Sequence, residues 1–156
     1  MLFTCSDPTH NHAPAGDTGY HRTVTDGKQH FTVDIHCHLH VPAADAMLKD
    51  AKAADQRNLY VDTNPLTSEI NAKQHQDILD KLTDPGVRIA DMDAAGIDVQ
   101  AISPSPFHYN YVYEPDFARE TAHVVNNRVA EVVGQHPDRF VGLCTVPLQD
   151  VDIAVA

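Results

Sequence analysis

The sequence predicts an α/β fold in which strands and helices alternate around a parallel sheet. Three observations support this prediction. A strand with alternating apolar and polar residues is expected at 31–40, and short apolar strands are expected at 98–103 and 140–146. A stretch with helical spacing precedes each of the two later strands. Apolar, β-branched strands joined through helices are typical of parallel sheets that helices cover.

Composition restricts the class of protein before any element is assigned. The 156 residues allow one domain, and 42% hydrophobic with 21% charged residues is typical of a globular chain. Eleven Lys and Arg against 22 Asp and Glu give a formal net charge of -11, which argues against a nucleic-acid partner. No apolar run approaches the roughly 20 residues of a membrane helix, so no membrane partner is expected.

The cysteines indicate a reducing compartment. Cys5, Cys37 and Cys144 are an odd number, and no two of them are close in sequence. We therefore expect no disulfide framework and predict a cytoplasmic protein.

The first strand follows an N-terminal arm at 1–30. This arm is expected to be irregular, because prolines and glycines are scattered among its polar residues without an apolar period. We therefore place the folded domain at 31–156. The alternation along the strand predicts one buried face and one polar face. The apolar positions are Val33, Ile35, Cys37 and Leu39, and the polar positions are Asp34, His36, His38 and His40.

A long and less regular segment separates this strand from the next clear helix. Its alanine-rich part predicts a helix at 43–54, and a second helical piece is expected at 70–82. The residues between them, 56–65, are expected to form a loop, and long loops often have a functional role.

The pattern becomes regular after this segment. Asp84 and Pro85 are typical of a helix start and Gly96 of a helix end, and a second helix is predicted at about 116–135. Asp150 is typical of a further helix cap, and the sequence ends shortly after it. We interpret the chain as the N-terminal part of a larger βα protein, because three parallel strands leave a sheet edge uncovered.

Two histidines of the first strand form a candidate metal site. His36 and His38 are two residues apart on a strand that we expect to be central, so both side chains should leave one face. Such a pair can bind zinc or a similar ion. Asp34 and His40 are expected on the same face, with Asp34 supporting the ligands. Sites in βα folds form at the carboxyl ends of strands, which favours metal binding over an ordinary polar surface.

Several segments together resemble the amidohydrolase superfamily. Residues 33–38 (VDIHCH) resemble its first-strand signature. Residues 88–100 (RIADMDAAGIDVQ) resemble the next element of the amidohydrolase-related branch, which includes aminocarboxymuconate-semialdehyde decarboxylase and the resorcylate-type decarboxylases. Asn126, Asn127 and residues 136–142 (HPDRFVG) also fit this branch. The resemblance covers roughly residues 31–156.

The resemblance implies that the chain is the first three βα units of a metal-dependent (β/α)₈ TIM barrel, incomplete within this sequence. It also implies one divalent metal, most often zinc, held by the first-strand histidines, a histidine of a later strand and a last-strand aspartate. Only His36 and His38 can be assigned here, and the other ligands would lie beyond Ala156. Two imidazoles leave a zinc site open, so we expect the isolated chain to be inactive.

For the longer protein, the resemblance implies non-oxidative decarboxylation of an unsaturated or aromatic carboxylic acid. The alternative on the same scaffold is a metal-dependent hydrolase of an amide, ester or lactone. A further alternative is that the chain as given is a non-catalytic fragment. The expected partner is a small carboxylic acid, and a homodimer is compatible with the resemblance.

An aromatic loop follows the second predicted strand. Phe107, Tyr109 and Tyr111 are candidates for contact with a planar substrate at the mouth of the barrel, and His108 is the candidate proton donor. The alternative is a loop that buries its rings against the next helix. Family members also hold a substrate carboxylate with a basic residue from the long insertion, which here would be Arg57 or Lys52; the alternative, which the sequence favours, is a solvated surface charge.

Overall fold

The computed structural model describes residues 23–25, 28–49, 51 and 64–155, with the backbone alone at 23–25 and 28–30. Residues 1–22 of the arm, the end of the helix expected at 43–54 and most of the loop expected at 56–65 lie outside the described residues. The elements in chain order are β1 (Thr23–Thr25), β2 (Lys28–His30), β3 (Val33–Leu39), α1 (Pro42–Leu48), α2 (Pro65–Thr83), α3 (Pro85–Ala95), β4 (Val99–Pro104), a 3₁₀ turn (Pro106–His108), α4 (Pro115–Gln135), β5 (Phe140–Gly142) and α5 (Val151–Val155).

Three strands form a parallel sheet in the order β3–β4–β5. Helices α1 to α3 connect β3 to β4, and α4 connects β4 to β5, which confirms the predicted βα repeat. The central strand of this sheet is β4, and the histidine-bearing β3 lies at one edge of the described sheet. Our expectation that β3 is central is therefore wrong for the residues described. β1 and β2 form a separate antiparallel pair, so part of the arm is regular.

A hydrophobic core lies between the sheet and the helices. Each strand of the parallel sheet contributes buried side chains, and the facing valines of α4 recur at helical spacing. The core members are Cys37, Leu39, Val41, Ala44, Met92, Ile102, Val125, Val129, Val132 and Phe140. Burying one such valine, leucine or phenylalanine side chain contributes about 1.5–3 kcal/mol. This layer fixes the strands and therefore the positions of the residues at their ends.

The ends of α3 follow from the sequence as predicted. The Asp84 side chain accepts hydrogen bonds from the backbone N–H groups of Gly86 (2.7 Å) and Val87 (3.3 Å). Pro85 occupies the first turn, where its missing N–H costs nothing. Gly96 ends the helix in the left-handed conformation with a φ of 70°, which glycine adopts without strain.

Among the described helices, none is both long enough and apolar enough to cross a bilayer.

The third strand is shorter than predicted. We expected a strand at 140–146, and β5 ends at Gly142. The following segment is held by a side chain of α4: Asn126 Nδ2 donates to the Thr145 carbonyl (2.8 Å), and the Thr145 N–H donates to Asn126 Oδ1 (2.9 Å). This amide clamp, Asn126 with Thr145, satisfies the backbone where the strand ladder stops.

The HPDRFVG segment holds the opposite end of the sheet from the histidines. Arg139 donates to the carbonyl oxygens of Asp98 (3.0 Å) and Ile97 (3.1 Å). It also lies 2.8 Å from the Asp93 carboxylate of α3. These contacts join the start of β5 to the turn that precedes β4, so the segment has a structural role in the described chain.

Candidate metal and active site

Strand β3 contains a bulge between Asp34 and Cys37. In the register with β4, Asp34 lies opposite Gln100 and Cys37 lies opposite Ile102, so three steps along β3 match two along β4. Gln100 and Ile102 share a face, and Asp34 therefore shares that face with the buried Cys37. The expectation that Asp34 lies on the histidine face is wrong, because the bulge shifts the alternation by one residue.

The same bulge changes which apolar residues are buried. Val33 and Ile35 were predicted to face the core, but they are 42% and 78% exposed. Residues after the bulge keep the expected pattern. His38 lies opposite Ser103, on the other face from Cys37. The rings of His36 and His38 lie side by side, with centroids 5.3 Å apart and planes nearly perpendicular.

The hydrogen bonds of His38 leave one ring nitrogen open. His38 Nδ1 lies 3.2 Å from the Pro104 carbonyl oxygen and 2.9 Å from Ser103 Oγ. A carbonyl oxygen only accepts, so these partners assign the ring hydrogen to Nδ1 and the lone pair to Nε2. An imidazole held in this way through Nδ1 is the usual arrangement of a metal-binding histidine. His38 therefore fits a cation at Nε2.

A buried network holds the backbone beneath this pair. Arg88 of α3 donates to the His38 carbonyl oxygen (2.6 Å) and to Gln100 Oε1 (3.2 Å). Gln100 in turn donates to Asp34 Oδ2 (3.1 Å). Burial lowers the pKa of Arg88, and the nearby Cys37 and Asp34 act in the opposite direction. The network ties α3 to the strand that presents the histidines.

The thiol between the two histidines does not belong to the site. Cys37 is buried in the core, where burial above all, together with the nearby Asp34, raises its pKa to about 12. A neutral, buried thiol is a poor nucleophile and a poor metal ligand. This agrees with the interpretation of Cys37 as a core residue.

A second cluster of imidazoles lies at the carboxyl ends of β3 and β4. His40 Nε2 lies 2.7 Å from Asp45 Oδ2. The His40 ring lies over that of His108 (4.8 Å between centroids) and meets that of His75 edge to face (5.1 Å). His108 Nδ1 lies 3.7 Å from Asp45 Oδ1. The Val41 N–H donates to His108 Nε2 at 2.8 Å. We call His40, Asp45, His75 and His108 the histidine cluster.

His108 is neutral near pH 7. Burial, followed by the nearby His40, lowers its pKa to about 4, and Asp45 opposes this shift only partly. Its contact with Asp45 is therefore not an ion pair at that pH, although the two side chains are close. The role of His108 as a proton donor remains a prediction.

The aromatic residues of the predicted loop lie near this cluster. Phe107 is 56% exposed and its ring lies 5.8 Å from that of His75. Tyr109 and Tyr111 stack on each other with nearly parallel planes, and Tyr111 is 38% exposed. Arg57 and Lys52 lie outside the described residues, so their proposed role stays a prediction.

Several residues of the site could not be predicted from a sequence motif. Ser103 occupies the end of β4 beside His38, and the parallel register of two predicted strands was a usable signal for it. Arg88 and Gln100 lay within the resembling segment, but nothing indicated that they bond to each other. The histidine cluster brings residues from four separate segments together, which periodicity cannot reveal. Among the described residues, no third His, Cys, Asp or Glu joins His36 and His38 in a metal-like group.

The sequence also matches a model of a known protein family. The amidohydrolase model matches residues 33–156, which include β3, both later strands and α3 to α5. The chain belongs to the amidohydrolase family. In this amidohydrolase chain, His36 and His38 lie on the first strand of the parallel sheet, as the resemblance implies.

Individual relatives agree with the expected branch. The chain is 31% identical to a 2-amino-3-carboxymuconate-6-semialdehyde decarboxylase of Dictyostelium discoideum over 86 residues, which are 55% of this chain and 24% of that protein. A 5-carboxyvanillate decarboxylase of Novosphingobium aromaticivorans, solved with manganese and 4-hydroxy-3-methoxy-5-nitrobenzoic acid, is 27% identical with a TM-score of 0.58. That match covers 83% of this chain and 38% of the enzyme.

A third relative confirms the fold. A dihydroxybenzoic acid decarboxylase of Polaromonas, solved with manganese and 2-nitroresorcinol, superposes with a TM-score of 0.60 at 21% identity. The match covers 80% of this chain and 32% of that enzyme. The chain thus spans well under half the length of each relative. Its three βα units are an N-terminal portion of the barrel, as predicted.

Proposed function

We propose that the protein containing this chain is a metal-dependent decarboxylase of an unsaturated or aromatic carboxylic acid. The observation that supports it most is the His36–His38 pair, with His38 Nδ1 bonded to Pro104 and Nε2 left open. The relatives add the reaction type, because they are decarboxylases and one at 27% identity contains manganese and a substituted benzoic acid. They favour decarboxylation over hydrolysis of an amide, ester or lactone.

His36 and His38 would hold the metal, and the 5.3 Å between their ring centroids is compatible with two imidazoles on one ion. When bound, a divalent ion supplies positive charge that orients the substrate and stabilises negative charge left as carbon dioxide departs. Imidazole ligands are typical of zinc and other transition metals, whereas manganese prefers oxygen ligands, which the remaining positions of the site would supply. We retain zinc as the expectation from the sequence, beside the manganese of the relatives.

The protein's own residues give this pair its geometry. Ser103 and Pro104 fix the ring of His38, and Arg88 fixes the backbone carbonyl of the same residue. A ligand held by such partners needs little reorganisation when it binds an ion. The three contacts come from β4 and α3, so the rigid part of the fold determines the direction of the ligand.

The aromatic loop would contact the substrate. Phe107 and Tyr111 expose large parts of their rings beside the carboxyl ends of β3 and β4. Flat apolar rings suit a planar substrate, and Tyr109 supports Tyr111 by stacking. Arg57 of the long insertion would bind the carboxylate, as the family resemblance implies.

The odd number of cysteines, with the free thiols of Cys37 and Cys144, supports a reducing cytoplasmic setting.

Metal content and carbon dioxide release test this function together. The complete product of the gene that encodes this chain would be loaded with manganese or zinc and assayed with hydroxybenzoates and unsaturated dicarboxylic acids. His36→Ala and His38→Ala should each lower turnover by on the order of 100-fold and reduce bound metal. Ser103→Ala should have a milder effect, roughly 10-fold on metal affinity, because one partner of His38 is lost.

His123→Ala is the matched control, since His123 is an exposed histidine of α4. It should change neither metal content nor turnover. Full activity in metal-free His36→Ala protein would refute metal-dependent chemistry at this strand. Hydrolysis of esters or lactones without carbon dioxide release would favour the alternative reaction.

A further inference from the structure

We propose that His108 is a positioning residue, which fastens the loop after β3 to the turn after β4, and that it does not deliver a proton to the substrate. For its effect on turnover the inference rests on the proposed decarboxylase function. For the fastening itself it rests only on contacts in the chain.

The central contact joins a buried backbone donor to the ring. The Val41 N–H donates to His108 Nε2 at 2.8 Å, and the two residues are 2% and 1% exposed. Val41 is the residue immediately before α1, so its backbone makes the turn from strand to helix. A buried N–H without an acceptor is costly, and His108 is its acceptor from 67 residues away.

The other ring nitrogen extends the contact to α1. Because Nε2 accepts, the ring hydrogen of neutral His108 is on Nδ1, which lies 3.7 Å from Asp45 Oδ1. Asp45 Oδ2 lies 2.7 Å from His40 Nε2, and the His40 ring faces that of His108. The Asp45 carboxylate therefore lies between two imidazoles; it is hydrogen-bonded to that of His40 and is close to that of His108 without a hydrogen bond.

A cation site is the obvious competing explanation for this group. His40, Asp45 and His108 present ligand atoms within 4.8 Å of one another. A cation at His108 Nδ1 would, however, need the ring hydrogen at Nε2, where it would point at the Val41 N–H. Two donors would then face each other at 2.8 Å. The hydrogen bond from Val41 therefore favours fastening over metal binding.

Proton donation to a substrate is disfavoured by the same geometry. The His108 side chain is fully buried, whereas its neighbour Phe107 is 56% exposed toward solvent. Its Nε2 is occupied by a backbone donor, and Nδ1 points toward Asp45. Val41 is only three residues beyond His38, so a loose Val41 would loosen the end of the strand that presents the proposed ligand.

Two substitutions at His108 separate these explanations. In His108→Gln the side-chain carbonyl can replace Nε2 as the acceptor for Val41, whereas His108→Leu keeps the bulk and removes the acceptor. Hydrogen exchange of the Val41 amide should accelerate by on the order of 10-fold in His108→Leu and stay near the parent rate in His108→Gln. Turnover should follow the same order, with the pH profile of His108→Gln unchanged.

Three outcomes would overturn the proposal. Loss of turnover in His108→Gln with a protected Val41 amide would assign His108 a chemical role. Equal Val41 exchange in all three proteins would remove the fastening contact. Zinc bound by His36→Ala/His38→Ala protein and lost on adding Asp45→Asn would establish a cation site. If the parent shows no decarboxylase activity, the proposed function fails, and the exchange and zinc measurements still decide the fastening role.

Discussion

Replacing Gly142 with alanine should destabilise the protein, because the new methyl group would enter the contact between β5 and α4. An alanine Cβ at this position would lie 2.7 Å from Val129 Cγ1 and 3.2 Å from Val133 Cγ2. Non-bonded carbons normally approach to about 3.5–4.0 Å. Val129 is 1% exposed and its χ1 is restricted in a helix, so the overlap can be relieved only by a shift of α4 or β5.

Overpacking of this kind costs about 1–3 kcal/mol of unfolding free energy. Val129→Ala alone should cost a similar amount, about 1–3 kcal/mol, through lost burial and the cavity it leaves. Combined with Gly142→Ala it removes the overlapping methyl group. The double variant should therefore be more stable than the sum of the two single effects by about 1–2 kcal/mol.

Urea unfolding, compared at a constant m-value, measures the four corners of this cycle. Gly134→Ala is the control, because a methyl group there meets nothing within 4 Å and alanine favours the helix. It should be neutral or raise stability by up to about 1 kcal/mol. A Gly142→Ala protein as stable as the parent, or strict additivity in the double variant, would show that the close packing of β5 against α4 is not as described.

Two further predictions concern the clamp on the last strand and the buried histidine. Asn126→Asp replaces the amide donor with a carboxylate that faces the Thr145 carbonyl oxygen, so it should lower the free energy of unfolding by about 1–3 kcal/mol, measured with urea. The control is Asn127→Asp, on the exposed side of α4, which should have little effect. Equal costs at the two positions would argue against the clamp. Burial lowers the folded-state pKa of His108 from 6.5 to about 4, so the unfolded chain binds a proton more readily than the folded one. The free energy of unfolding should therefore fall as the pH drops from about 6.5 to 4, and His108 accounts for at most about 3 kcal/mol of this loss. The comparison is with His108→Gln, whose stability should lose this part of the pH dependence, and parallel curves for the two proteins would contradict the lowered pKa.

The local signals of the sequence predicted most of the elements. Asp84 with Pro85 and Gly96 placed both ends of α3, because caps and special backbone conformations depend on residues close in sequence. Apolar alternation placed β3 correctly, but not the faces of its first half. The bulge that shifts them depends on pairing with β4, and no residue of β3 encodes it alone.

The candidate site could be predicted to a similar extent. The His36–His38 pair follows from spacing and from the resemblance, and it is adjacent in the structure. The partners of His38 come from β4 and α3, and the histidine cluster joins β3, α1, α2 and the 3₁₀ turn. Such contacts depend on how separate elements pack, which a pattern along one strand does not contain.

Because of the bulge in β3, Asp34 and His38 of the short motif at residues 33–38 lie on opposite faces of the strand, where they make different contacts. Asp34 is hydrogen-bonded to Gln100 and through it to Arg88, so a substitution of Asp34 should change the packing of α3 against the sheet. His38, four positions later, lies on the opposite face of the strand, so its substitution should change the proposed metal site instead. In a variant library across residues 33–38, substitutions at Asp34 and Cys37 should therefore lower the yield of folded protein, whereas substitutions at His36 and His38 should leave folding normal and abolish the proposed chemistry.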